Sequence, residues 1–120
     1  MSTLSKKESY FFSLIQKIKK EASVLAKASS ILIKKGLREV KTSVLRKEVK
    51  VILYSANTNP KDLFKDLLAK VGEEVIIIKF ANSSSISKAF GVDFPINIAA
   101  LNTIPTSDSL NIVQFRNNYE

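Results

Sequence analysis

Two runs rich in β-branched residues, Val49 to Ser55 (VKVILYS) and Glu74 to Phe80 (EVIIIKF), constrain this chain more than anything else in it. Val and Ile fit a pleated surface, and a nearly continuous apolar run reads as a strand covered on both faces. The stretch between them has the marks of a helix. Asn59 is a good cap and Pro60 suits the first helical position. Leu63, Phe64, Leu67, Leu68 and Val71 make an apolar stripe that Gly72 ends. Buried strands alternating with helices imply a layered α/β domain with its sheet in the middle.

The remaining segments fit that scheme. Over residues 5–27, Phe11, Leu14, Ile15, Ile18, Ala22 and Leu25 recur on one face at the 3.6 period, with Lys17, Lys20 and Lys27 mostly off it. A basic amphipathic helix can lie on a membrane, but these apolar residues read as core. Ile31 to Ile33 reads as a short strand ending at Lys34 and Lys35. A helix from Leu37 to about Lys47 buries Leu37, Val40 and Val44. Asn82 to Ser85 is a polar break serving as loop and cap, and a short helix from Ser84 or Ser85 ends at Gly91. Pro95 to Leu101 (PINIAAL) makes a last strand. Residues 103–120 read as a polar tail with at most a short helix around Ser109 to Phe115. With about four strands, no repeat and no linker, residues 1–120 read as one domain.

Composition narrows the chemistry. The chain has no cysteine and no histidine, which removes disulfides, thiolate metal sites and the usual nucleophile–base pairs. Its three glycines form no phosphate-cradling loop. Asp62, Asp66, Glu73 and Glu74 are spaced as helix-surface charges rather than as a magnesium site. The expectation is therefore a non-enzyme without cofactor, metal or small-molecule substrate. The longest apolar runs are too short to span a bilayer, and the N-terminus lacks a signal-peptide apolar region, so an intracellular, soluble protein is expected.

Charge gives the positive lead. The net charge is +8, and residues 1–60 hold 13 Lys/Arg against 4 Asp/Glu, or +9, leaving −1 for residues 61–120 with 6 against 7. Such asymmetry suits a polyanion binder, with nucleic acid, an anionic membrane or an acidic protein as partner; solvated lysines on basic helices are the plainer reading. Within the basic half stands Lys34-Lys35-Gly36-Leu37-Arg38-Glu39-Val40-Lys41-Thr42. A glycine ahead of a helix leaves the first backbone N–H groups open to an anion such as phosphate. Arg38 and Glu39 follow closely enough to reach past a docked backbone toward base edges. The alternative for Glu39 is an ion pair with Lys35 or Lys47.

The order G-L-R-E-V from Gly36, an apolar strand, A-N-T-N-P from Ala56, and I-S-K-A-F-G from Ile86 to Gly91 resembles the kink-turn RNA-binding superfamily. That superfamily includes an archaeal large-subunit ribosomal protein, the H/ACA and C/D small nucleolar ribonucleoprotein core proteins, and eukaryotic ribosomal proteins. The resemblance covers roughly residues 10–102 and needs about one deletion before Gly91. It implies a three-layer α-β-α sandwich around a small mixed sheet, and RNA and other ribonucleoprotein subunits as partners. In the family, the glycine matching Gly36 lies against the RNA backbone, with Lys34, Lys35 and Lys41 nearby here. The glutamate matching Glu39 accepts hydrogen bonds from a guanine edge of tandem sheared G·A pairs. Asn59 and Leu63 match positions facing an extruded nucleotide, and Val92 and Phe94 match an apolar loop packed against that base.

Several positions depart from the family pattern. Arg38 stands where the tightest binders have Asn, although a guanidinium reaches guanine acceptors or phosphate. Thr42 stands at a usual lysine, Lys47 at the glycine that follows the helix, Phe94 at a frequent arginine, and Ser87 at the glycine of an L-G pair. K-K-G-L-R-E-V most resembles the H/ACA core protein, which implies a nucleolar guide particle in rRNA modification and ribosome biogenesis. G-L-R-E and I-I-K-F also resemble a small-subunit ribosomal protein, which implies the cytoplasmic ribosome. A sister branch of the fold binds proteins without RNA affinity, and Thr42 is compatible with it.

Overall fold

The computed structural model describes residues 5–25, 28–56 and 66–115. The expected helix start at Asn59 and Pro60, with Leu63 and Phe64, lies outside them. Helix α1, Lys6–Val24, opens on a reciprocal cap: the Ser5 hydroxyl accepts from the Glu8 N–H at 3.0 Å, and Glu8 Oε1 accepts from the Ser5 N–H at 2.7 Å. The helix stops three residues short of expectation, so Leu25 is exposed rather than part of the buried stripe.

A helical turn α2, Ser29–Leu32, precedes strand β1, Ile33–Lys35, where a strand from Ile31 was expected. Two contacts set the boundary. The Ile31 N–H bonds to the Ala28 carbonyl at 3.0 Å, closing the turn, and Ile33 is the first residue paired across the sheet, with Leu101. Helix α3 is Leu37–Leu45 and strand β2 is Val51–Ser55. Residues 66–69 are helical. Strand β3, Ile76–Phe80, leads into helix α4, Ser83–Phe90, which Asn82 caps by accepting from the Ser85 N–H at 2.9 Å. Gly91 ends α4 in the left-handed region, as its sequence position suggested. Strand β4 is only Ile98–Leu101, because Pro95 has no N–H to pair and residues 94–96 are held by a helix side chain instead.

The sheet order is β1-β4-β2-β3, with β2 and β3 parallel and the other two pairings antiparallel. Strand periodicity divides the core between the two faces. Leu53, Ile78, Phe80, Ala99 and Leu101 point toward α1 and α4 and pack with Phe11, Leu14, Ile15, Ile18 and Ile86. Ile52, Ile98 and Ala100 point the other way, against Val40 and Val44 of α3 and Leu67. The fold is thus α/β, with helices on both faces of a four-stranded mixed sheet, as expected. Each buried Leu, Ile or Phe contributes about 1.5–3 kcal/mol relative to exposure.

A further expectation changes. The segment read as a polar tail carries two 3₁₀ turns, Thr106–Asp108 and Ile112–Phe115, and Ile112 and Phe115 are buried in the α1 side of the core. The Phe115 ring lies 4.9 Å from that of Tyr10 and 5.7 Å from that of Phe11. Asp108, also buried, accepts from the Tyr10 hydroxyl at 2.9 Å and pairs with Lys17 at 2.7 Å.

Candidate nucleic-acid interface

The ends of β1, β2 and β3 and the start of β4 meet at one edge of the molecule, since Lys35 pairs with Ala99, Tyr54 with Ile98, and Ser55 with Phe80. Among the described residues, three helices begin at or near this edge. The ammonium of Lys7, in the first turn of α1, donates to the Lys79 carbonyl at 2.8 Å and so ties α1 to the end of β3. The first-turn donors of α1 and α4 are capped by Ser5 and Asn82. Glu8 is 4% exposed and also accepts from the Ser85 hydroxyl at 2.5 Å. Burial would raise its pKa, but the bonds from Ser85 and Ser5 and the charge of Lys88 together hold it below the ordinary value.

Helix α3 is built differently. Its cap is Gly36, at φ 90° and ψ 154°, with no side chain to close the first turn. The Gly36 N–H is spent on the Ile98 carbonyl at 2.9 Å, which pins the turn to the sheet, and its carbonyl accepts from the Val40 N–H at 3.1 Å. A methyl group added at Gly36 would meet nothing within 4 Å, so glycine is needed here for its positive φ, and the space in front of the turn is open. The first-turn amides of α3 therefore face outward with the positive end of the helix dipole.

Val40 and Val44 anchor α3 to the sheet, which turns Arg38, Glu39, Lys41 and Thr42 to solvent. Lys34 is half-buried and Lys35 exposed. Among the described residues the Glu39 carboxylate has no hydrogen bond or ion pair, so the alternative pairing with Lys35 or Lys47 is not made. The Thr42 hydroxyl donates back to the Arg38 carbonyl at 3.1 Å. Across the edge, Phe94 is 53% exposed, and the Lys35 ammonium stands 5.8 Å from its ring centroid. Val92 is half-buried and packs against the core beneath that loop. The fold thus gathers Lys34, Lys35, Gly36, Arg38, Glu39 and Phe94 at one edge, with Lys41 and Thr42 further along α3. Asn59 and Leu63 lie outside the described residues.

No protein-family model matches the sequence, and no curated protein matches it. Among solved structures, the Giardia lamblia 15.5kD RNA binding protein superposes with a TM-score of 0.59 over 95% of this chain and 88% of that one, at 18% identity. The two proteins share a fold.

Sequence reasoning missed some neighbours of the site. Lys79 stands 5.8 Å from the Tyr54 ring on the adjoining strand pair, a contact that follows from cross-strand register and leaves no local signal. The Ser5–Glu8 capping box was readable as S-K-K-E. A cavity of about 310 Å³ between Val44, Lys47, Lys70 and Glu74 lies beyond the other ends of β2 and β3 and includes no predicted site residue. Among the described residues there is no group of three metal-ligating side chains, and no helix long and apolar enough to cross a membrane.

Proposed function

We propose that this chain is a non-catalytic RNA-binding subunit of a ribonucleoprotein and that it recognises a sharply bent, kink-turn-like RNA. The observation that carries this reading is the edge itself. Open amide donors in the first turn after Gly36, a carboxylate at Glu39 without a partner among the described residues, and an exposed ring at Phe94 with a lysine over it stand together where the basic half of the chain is presented. Backbone amides and lysines suit phosphates, Glu39 suits the amino edge of a purine, and Phe94 suits the face of an unstacked base. Kinship of fold with a protein described as RNA binding supports the same reading.

Within it, the KKGLREV run favours an H/ACA-type guide particle acting in rRNA modification and ribosome biogenesis, hence a nucleolar protein. The G-L-R-E and I-I-K-F runs favour, as second assignment, a ribosomal protein on rRNA in the cytoplasmic ribosome. The deciding test compares a kink-turn hairpin with a straight duplex of equal length and charge. Tighter binding to the hairpin, with affinity falling steeply as salt rises, is expected. Equal affinity for both removes recognition of the bend. A flat salt response together with capture of acidic proteins replaces RNA with a protein partner. Crosslinking in cells and sequencing of the bound RNA then separates guide RNA from rRNA.

A further inference from the structure

Ser87 lies in the middle of α4, away from the exposed edge, and is 7% exposed. Its hydroxyl has two acceptors within reach of its single hydrogen, the Phe94 carbonyl at 2.6 Å and the Ser83 carbonyl one turn back at 2.9 Å, the shorter contact being to Phe94. It also accepts from the buried Ile96 N–H at 3.1 Å. Its backbone carbonyl accepts from the Val92 N–H at 3.1 Å, closing the turn in which Gly91 is left-handed. One residue therefore holds three backbone groups of the loop that carries Phe94. Pro95, between two of them, has no N–H of its own to offer. Loops usually follow the surface with mobile backbones, and an exposed aromatic on such a loop would sample many directions. This ring does not depend on the loop alone, because its carbonyl is tied to a rigid helix on one side and Lys35 stands over it on the other.

From this geometry we infer that Ser87 is a positioning residue for the proposed RNA site: its hydroxyl presets the 92–96 loop so that Phe94 meets an unpaired base without being ordered at the moment of binding. The inference rests on the proposed function and adds to it the means by which specificity for an unpaired base is preorganised. A glycine at this position could not make either hydroxyl contact, so the device belongs to this sequence. Preorganisation of this kind acts on affinity by removing an ordering cost, without adding a contact to the ligand.

The test uses the full chain, with Ser87→Ala and Ser87→Thr variants and two otherwise identical kinked RNAs, one with the unpaired nucleotide intact and one abasic there. The wild type is expected to prefer the intact RNA by about tenfold, the stacking of one base. Ser87→Ala should bring that ratio close to one while leaving the abasic affinity and the salt dependence unchanged, and Ser87→Thr should restore it. General destabilisation would weaken both RNAs alike and leave the ratio in place, which overturns the inference. Amide exchange gives a reading free of RNA and of any variant. The Ile96 N–H of the wild type should be protected like a core amide, and exchange at the rate of an open loop overturns the inference. If Ile96 is protected, and loses protection in Ser87→Ala, while the wild type shows no preference between the two RNAs, the clamp exists but the RNA reading falls and takes this inference with it.

Discussion

The Lys35 ammonium stands 5.8 Å from the centre of the Phe94 ring, although one residue ends the first strand and the other sits in the last loop before β4. The pair closes the exposed edge between the start of α3 and the 92–96 loop. A cation over one ring face leaves the other face for a base, and brings a positive charge to where the nucleotide's phosphate would lie. The two side chains should therefore fail in different ways. Phe94→Ala is expected to cost about 1–3 kcal/mol of affinity for RNA with an unpaired base. Because the ring is half in water, the same change should alter the melting temperature little. Lys35→Ala should weaken binding to all RNAs and lower the salt slope by about 0.9, one released counterion. Fluorescence anisotropy at several salt concentrations, with thermal melts, distinguishes the two. An equal loss for Phe94→Ala on RNAs lacking an unpaired base would take stacking off the surface.

Glu39 offers a test in which the sign decides. It is exposed, without a described partner, in a neighbourhood of lysines and arginine. As a bare surface charge it repels phosphate, so Glu39→Ala would tighten binding to every RNA. As an acceptor for a purine edge it should cost about 1–3 kcal/mol on the kinked RNA alone, while binding to straight duplex rises. Competition between the two RNAs for the variant reads the outcome directly.

The elements whose sequence carries a local physical signature were legible. The β-branched runs became β2 and β3, the Phe11-to-Ala22 stripe became the buried face of α1, and Gly91 took the left-handed cap it suggested. Boundaries were less legible where a distant partner sets them. β1 begins at Ile33 because Leu101 lies opposite, and no residue near Ile31 records that. Residues 103–120 read as a polar tail with at most a short helix around Ser109 to Phe115, because 3₁₀ turns have no 3.6-residue stripe, yet Ile112 and Phe115 complete the core. At the edge, Gly36 and its neighbours are contiguous and could be read. The approach of Phe94 to Lys35 depends on the sheet order and could not, and the clamp at Ser87 depends on how the chain folds back on α4 after Gly91, for which no local pattern stands.

Two buried carboxylates make stability depend on acid. Glu8 is held by Ser85 and Ser5, and Asp108 by Lys17 and Tyr10. In each, burial pushes the pKa up but the hydrogen bonds and neighbouring lysine outweigh it, leaving Glu8 below its ordinary 4.5 and Asp108 below its ordinary 3.8. The folded chain thus binds fewer protons than the unfolded chain in this range, and stability rises with pH. It is fully present above about 5 and decays as pH falls below those ordinary values through the lowered ones. Melting temperature should be flat from pH 7 to 5 and fall below that. Asp108→Asn should cost about 1.5–3 kcal/mol at pH 7 and flatten the acid limb, because the carboxylate's charge is gone and the amide has one acceptor oxygen where Lys17 and Tyr10 use two. An unchanged acid limb in that variant would mean that Asp108 is not part of the linkage.

The other end of α3 carries a strain that can be relieved. Past the cap at Arg46, Lys47 sits at φ 58°, the left-handed region, with its N–H on the Val44 carbonyl at 3.0 Å and the Glu48 N–H on the Ser43 carbonyl at 3.1 Å. This is the paired hydrogen bonding of a Schellman ending, where glycine is the usual occupant because a side chain costs about 1–2 kcal/mol in that conformation. Glycine loses about 0.5–1 kcal/mol more backbone entropy on folding, which offsets part of the gain. Lys47→Gly should therefore stabilise the fold by about 0.5–1 kcal/mol, or about 2–4 °C in melting temperature. RNA affinity should barely change, since Lys47 lies beyond the opposite end of α3 from Gly36. A lower melting temperature would show that the Lys47 side chain, which lines the cavity with Lys70 and Glu74, contributes more than its backbone costs.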